Sequence, residues 1–315
     1  MISYAIRRIF SMIPSLIVAG ILVFSFMHLM PGDPAAVMLG PNATAEQVKN
    51  LRESMGFNRP IYVQFGEWAQ DVVQGDLGRS IFFHKPVSEV ILSRAETSVF
   101  IALISMTLVL TFGISVGIIS AVRHNSWIDQ LSLGFAMLGA SIPTFWLGLN
   151  LMLLFAVILG WLPSSGFPSV LESGDITNLR HLILPCITLA APNSALVIRL
   201  TRSSMLDVLG EDYINTARSK GLHENKVIVK HALRNAFISI IAVLGFTFVG
   251  LLSGTVVTET VFSLPGVGRL VVQSILRRDY PVIQGVLLIV VIGYMIVNLM
   301  IDISYAFLDP RIRYD

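Results

Sequence analysis

The sequence is poor in charge and in cysteine. Asp, Glu, Lys and Arg make up 13% of its 315 residues, about half the share of ~25% usual in globular domains. That is too little to cover the surface of a soluble domain of this length. Cys186 is the only cysteine, so no intrachain disulfide can form. Set in an apolar run, it reads as a small packed hydrophobe and not as a nucleophile. No Gly-Lys-Ser or Gly-Lys-Thr occurs, so the chain has no phosphate-cradling loop of its own. The His-Glu-x-x-His and Cys-x-x-Cys signatures of zinc and thiol chemistry are missing too. No basic tract interleaved with aromatics is present and the net charge is only +2, which argues against nucleic acid as a partner. The expectation is a chain with no metal site, no cofactor of its own and no covalent chemistry.

What the sequence has instead is long uncharged stretches. Apolar residues reach 54% and the mean hydropathy is +0.74. A helix needs about 20 apolar residues to cross the hydrocarbon of a bilayer. Six stretches qualify: Ile9 to Gly32, Thr97 to Val122, Leu131 to Gly160, His181 to Ile198, Ala236 to Thr258, and Pro281 to Ile301 with an extension toward Phe307. Pro143 predicts a kink or break in the third. Pro185 and Pro192 predict a bend or a late start in the fourth. The first stretch follows Arg7 and Arg8 but exceeds the roughly 7–15 residues of a signal-peptide core and lacks a nearby small-x-small cleavage site. It reads as a retained span.

Charge placement orients these spans. With both termini inside, the inner side carries Arg7, Arg8, Arg123, Arg199, Arg202, Arg218, Lys220, Lys226, Lys230, Arg234, Arg311 and Arg313. The short outer loops hold only Arg180, Arg269, Arg277 and Arg278. This is the positive-inside pattern. The reading is an all-α integral membrane protein of six transmembrane helices, both termini cytoplasmic, with membrane lipid as its solvent. Residues 1–30 form the N-terminus and first helix, and 31–96 a small extracytoplasmic subdomain between helices 1 and 2. Residues 97–308 form a five-helix core, including a polar loop at 199–235, and 309–315 a cytoplasmic tail.

The stretch from Glu211 to Asn235 is the most polar segment of that core, and it reads as helix, sharp turn, helix. Ile214, Ala217 and Gly221 fall at i, i+3 and i+7, which gathers them on one side of a helix. Glu211 and Asp212 precede that pattern, where acids suit a helix N-terminus. Lys220 and Gly221 form a stop, with a cation in the last turn and a glycine free to take positive φ. A second stripe follows at Val229, Ala232, Leu233 and Ala236. Such a segment can serve as a solvated loop or as a docking element. For docking, Ala217 and Gly221 are small enough for close approach. Arg218 and Lys220 offer charge, and Tyr213, Ile214 and Leu222 offer apolar anchors.

Polar residues near or within spans carry two readings each. Glu259 and Asp302 lie at the ends of the fifth and sixth spans, where an acid is either functional or a cap or pairing partner. Asn150, Asn193 and Asn298 either line a pathway or bind neighbouring helices. Pro31-Gly32-Asp33-Pro34 reads as a stiff exit turn, His28 as interfacial, and Gly266-Val267-Gly268 as a turn in an outer loop.

Several separated motifs carry a resemblance. Asn215-Thr216-Ala217, followed after three residues by Gly221, resembles the Glu-Ala-Ala loop of ABC-importer permeases. In that motif the glycine is followed after nine residues by Ile-x-Leu-Pro, where this chain has His231-Ala232-Leu233-Arg234. Ala217, Gly221 and Leu233 keep the pattern; Asn215, Thr216, His231 and Arg234 depart from it. The wording from Gly210 to Ala236 is similar to the dipeptide, oligopeptide and nickel branch of these permeases. So are His28 to Pro34, Phe262 to Arg269, Arg278 to Gln284 and Asp309 to Arg311. The resemblance implies a type I importer permease fold in a bacterial cytoplasmic (inner) membrane. It implies a second homologous permease, two cytoplasmic ATPase subunits that bind the ATP and Mg, and an extracytoplasmic substrate-binding protein. It makes the segment from Glu211 to Leu222 the helix that couples to the ATPases, and peptides or similar small cargo the substrates. Two rivals are a secondary transporter, which wants mid-span acids and an internal repeat, and an intramembrane hydrolase, which needs a nucleophile with a base.

Overall fold

The computed structural model describes residues 2–29, 33–39, 43–54 and 56–308. Pro31 and Gly32 of the exit turn, and the tail 309–315 with Arg311 and Arg313, lie outside the described residues. Numbered along the chain, the helices are α1 (Ile2–Leu29), α2 (Pro34–Leu39), α3 (Ala45–Ser54), α4 (Ile61–Val73), α5 (Val87–Val122), α6 (Trp127–Ser141), α7 (Thr144–Ile158), α8 (Val170–Ser173), α9 (Ile176–Leu209), α10 (Asp212–Ser219), α11 (Glu224–Val261), α12 (Val267–Arg277) and α13 (Tyr280–Leu308). Among the described residues the only β-pairing is an isolated bridge between Arg79 and Pro86.

Among the described residues five helices, α1, α5, α9, α11 and α13, are long and apolar enough to cross a membrane. The pair α6 and α7 makes a sixth span if taken together, bent by 102°. The bend is where the sequence places it. Ile142 sits in extended backbone at φ −82°, ψ 125°, the region to which a following proline pushes its neighbour. Pro143 then opens α7. With 15 residues, α6 is about 22 Å long, short of the ~30 Å hydrocarbon thickness.

Helix ends depart from the apolar stretches. The second span starts at Val87, ten residues before Thr97. The fourth runs on to Leu209 and the fifth begins at Glu224, so most of the polar segment is continuous with the spans. Uncharged length reports only the thickness of hydrocarbon, whereas backbone hydrogen bonding carries a helix past it. The segment from Phe262 to Tyr280 is not a plain loop, because it holds α12.

The chain divides into two compact units, one of Glu96–Arg269 with the chain from Val297, the other of Ile2–Ala95 with Leu270–Ile296. In the first, α9 is the centre, packed by the later part of α5, by α6 and α7, and by α11. Its membrane window is 56% buried, the highest of the five spans. Two glycine pairs let the neighbours approach. A Cβ at Gly117 on α5 would stand 2.6 Å from Thr201 Cβ and 2.9 Å from the Ile198 carbonyl, and Gly113, one turn away, faces Val197. On α11, Gly250 and Gly254 face Asn193 and Leu189. Both pairs are Gly-x-x-x-Gly, the spacing that brings membrane helices into close contact. The first also spells Gly-x-Ser-x-Gly around Ser115, but it lies inside a helix and lacks the strand–turn–helix setting of a nucleophile elbow. Cys186 lies fully buried in the main core cluster with Ile101, Leu189, Leu251 and Phe262.

In the second unit, α4 packs its Phe65 and Trp68 on Phe24 of α1, ring centres 5.4 and 5.6 Å apart. His28 stacks on the same ring at 4.7 Å and meets Gln64 Oε1 at 3.3 Å. Asp279, 1% exposed, organises the turn before α5 by accepting hydrogen bonds from Ser80 Oγ (2.5 Å) and from the Ile81 and Phe82 amides (both 3.1 Å).

Candidate functional site

The polar segment folds as its pattern says, helix, sharp turn, helix. Glu211 precedes α10 in extended backbone, and Asp212 occupies its first turn, near the positive end of the helix dipole. Ile214 is fully buried and Ala217 is 8% exposed. Both pack on Met205 of α9, Ala121 of α5 and Val227, Ala232, Ala236 and Ile240 of α11. Offered by the sequence as docking residues, these two face the chain's own core: they seat α10 on the spans. Ala217 is small because α10 must lie close to them.

The stop is a Schellman turn. Gly221 takes φ +75°, its amide donates to the Arg218 carbonyl at 2.9 Å, and the Leu222 amide donates to the Ala217 carbonyl at 3.4 Å. Leu222 closes the turn by packing on the same cluster. Nothing lies within 4 Å of a Cβ at Gly221, so the position needs glycine for its backbone alone. Arg218 donates across the turn to Glu224, with N–O distances of 2.8 and 3.3 Å. That carboxylate raises the Arg218 pKa above its ordinary value. Tyr213 is 41% exposed, and its hydroxyl accepts from Asn235 Nδ2 at 2.7 Å. The face left to solvent is therefore mostly polar: Glu211, Asp212, Tyr213, Asn215, Thr216, Arg218, Ser219, Lys220 and Gly221. Sequence reasoning passed over Asn215, Thr216 and Ser219, for which exposure is the only signal.

A second cluster was missed. Asp129 on α6 is 2% exposed and takes Arg202 of α9 in a two-point ion pair, Nε at 2.7 Å and Nη2 at 2.8 Å. It also accepts from Ser120 Oγ (2.5 Å) and the Asn125 amide (3.0 Å). His124 Nδ1 stands 2.9 Å from Arg202 Nη2. The cluster ties the end of α5, the turn and the start of α6 to α9, two turns before the end of α9. Ser126 caps α6 by accepting from the Asp129 amide at 3.3 Å. That Ser-x-x-Asp spacing is a helix-start signature and was the available signal.

Glu259 is fully buried and accepts from Ser98 Oγ at 2.6 Å and from the Arg269 amide at 2.8 Å. Ser98 Oγ in turn accepts from the Val267 amide at 2.8 Å. Together they satisfy the first turn of α12, whose amides have no partner within the helix. A side chain at Gly266 would collide with the carboxylate, which explains the glycine there. Glu259 thus makes a capping contact at the start of α12. Asn150 donates to Trp146 O (2.7 Å) and Asn193 to Leu189 O (2.8 Å), each on its own helix. Asn193 also touches α11 at Gly250. Asn298 and Asp302 are half-buried. Among the described residues no group of three or more His, Cys, Asp or Glu is placed to hold a metal ion.

Apolar spans around a buried central helix, with a structured polar helix–turn–helix between two of them, define a multi-span helical membrane protein. Residues 113–314 match the family described as "Binding-protein-dependent transport system inner membrane component", and residues 1–111 match its N-terminal companion. The chain is 43% identical to "Probable peptide ABC transporter permease protein y4tP" of Sinorhizobium fredii, over 99% of each. It is equally 43% identical to "Glutathione transport system permease protein GsiC" of Escherichia coli strain K12, over 100% of each. Its fold is shared with the MetNI methionine ABC transporter in inward facing conformations, with a TM-score of 0.58, 16% identity, and coverage of 70% of this chain and 97% of that one. The chain belongs to the inner-membrane permease family of binding-protein-dependent ABC importers. It is a non-catalytic, multi-pass subunit; ATP hydrolysis and substrate capture belong to partner ATPase and binding-protein subunits.

Proposed function

We propose that α10 and the Schellman turn after it are the element through which the ATPase subunits drive this permease. The observation that carries the reading is the seating of α10. Ile214 and Ala217 bind it to three spans at once, α5, α9 and α11, so a push on its polar face moves those spans together. The chain has no nucleotide loop of its own, so the push must come from a partner. The contact residues are then those on the outer face: Glu211, Asp212, Arg218 and Lys220 as sequence reasoning offered, with Asn215, Thr216 and Ser219 added. The assembly takes one second, homologous permease, two ATPases and one extracytoplasmic binding protein. Both termini are cytoplasmic, and residues 31–96 form an extracytoplasmic subdomain. The cargo is a small peptide, in keeping with the relatives named for peptide and glutathione transport. Transport proceeds by alternating access, outward-open while the ATPases are closed on ATP.

The test uses the reconstituted complex with its ATPases and binding protein. Gly221→Asp and Gly221→Val keep the spans intact but strain the turn, since φ near +75° costs a side chain about 1–2 kcal/mol. Aspartate tolerates that region better than valine, so the valine variant is the more severe. Assembly should persist while ATP hydrolysis no longer yields uptake. Normal uptake by Gly221→Val would overturn the role. Mass analysis of ligand copurified with the complex identifies the cargo.

A further inference from the structure

The start of α11 carries a line of cations set apart from α10. Lys226, Lys230 and Arg234 lie four residues apart and are all exposed. Between them, Val227–Leu233 is wound as a π-helix. Its hydrogen bonds reach one residue further than those of an α-helix, so each residue turns less about the axis and side chains four apart nearly align. Val227, Ala232 and Ala236 are buried, at 1% exposure or less, in the cluster beneath α10. The three cations lie on the side of α11 away from them. Helix α10 meets α11 one residue over, where Asn235 donates to the Tyr213 hydroxyl at 2.7 Å.

The charge of this line is unmatched within the chain. Between Asp212 and Glu259 the sequence has one acid, Glu224, and Arg218 already holds it at 2.8 Å. Among the described residues none of the three cations is in an ion pair. Depth is the second observation. The apolar stretch from Ala236 to Thr258 is about 34 Å of helix, which fills a hydrocarbon layer of ~30 Å. Arg234 stands two residues outside it, about 3 Å along the axis. Lys230 is no more than about 9 Å out, and Lys226 no more than about 15 Å. The headgroup layer is about 5–8 Å deep on each side. Side chains tilt toward the helix N-terminus, which here is away from the hydrocarbon. Arg234 therefore reaches the headgroups and Lys230 their outer edge, while Lys226 stays within roughly one Debye length, ~8 Å, of them.

We propose that Lys226, Lys230 and Arg234 hold the phosphate of an anionic phospholipid against this end of α11. Anionic headgroups attract basic residues placed just outside a span. The guanidinium of Arg234, nearest the acyl chains, can take two phosphate oxygens at once, and the lysines add point charges behind it. A zwitterionic headgroup brings its own cation and so gains less. The acidic surface of a soluble partner would need the whole line clear of the headgroups, and Arg234 is not clear of them.

The experiment uses the full chain in its transporter complex. In detergent micelles the complex is titrated with phosphatidylglycerol and, separately, with phosphatidylcholine of the same acyl chains, and native mass spectrometry counts the lipid bound. The wild type should bind phosphatidylglycerol more tightly, by a margin that narrows as salt is raised. Arg234→Gln should lower the phosphatidylglycerol affinity by roughly fivefold, the equivalent of about 1 kcal/mol for a cation at an anionic lipid surface. Lys230→Gln should lower it less and Lys226→Gln least, in the order of their depth, while phosphatidylcholine binding holds. All three side chains are exposed, so these changes leave the core untouched, and an unchanged unfolding midpoint checks that. Equal affinity of the wild type for the two lipids, or a preference that survives in the triple glutamine variant, overturns the proposal. Loss of the ATPase subunits from the triple variant with its lipid preference intact also overturns it, and assigns the cations to a soluble partner.

Discussion

At the residue scale, the first unit holds a buried, paired carboxylate that sequence reasoning did not select. The Asp129 side chain is 3% exposed and that of its partner Arg202 19%. Removing one member of such a pair leaves the other buried and uncompensated, which costs about 3 kcal/mol or more. Asp129→Ala should therefore lower the thermal unfolding midpoint of the detergent-solubilised protein markedly. The double change with Arg202→Met should recover part of the loss, because it also removes the stranded charge. If the double variant is no more stable than the single one, the pair is not the source of the effect. Glu259 shows the opposite relation between sequence and structure. Its place at the end of a span marked it for attention, and its buried oxygens turned out to serve Ser98 and the first turn of α12.

At the scale of elements, α10 is too short to be stable alone, since isolated helices below ~12–15 residues are marginal in water. Its order comes from Ile214 and Ala217 in the cluster beneath and from the turn at Gly221. Ile214→Ala should cost about 2–4 kcal/mol at that site. Hydrogen exchange across Asp212 to Leu222 should quicken while the amides of α9 and α11 keep their protection. Equal loosening of the spans would mean that α10 does not unseat separately. The pattern of Ile214, Ala217 and Gly221 was legible as a helix with one apolar side. Which way that side faces was not, because periodicity gives a face without its neighbour. Likewise α12 was read as a loop: only eleven residues long, it lies between Pro265 and the Arg278-Asp279 turn, where no long uncharged run marks it.

At the scale of the molecule, close approach of the helices around α9 rests on Gly113 and Gly117 on one side and Gly250 and Gly254 on the other. Gly117→Val would drive a side chain into Thr201 and the Ile198 carbonyl. Overpacking of this kind costs typically 1–3 kcal/mol. The expected outcome is a lower unfolding midpoint together with reduced ATP-driven uptake in the reconstituted complex, whereas an unchanged midpoint would show that α5 and α9 can part freely. The sequence by itself determined that this is a helical membrane protein, roughly where its spans lie, that the third breaks at Pro143, and that the chain carries no phosphate-cradling loop of its own. Those properties follow from composition, from local backbone chemistry and from the presence or absence of short motifs, all of which are local along the chain. Only the tertiary structure decided that Ile214 and Ala217 face inward, that Asp129 finds Arg202, and that Glu259 caps α12. Each of these joins residues distant in sequence, and a one-dimensional pattern states what a side chain can bind but not which partner the fold brings to it.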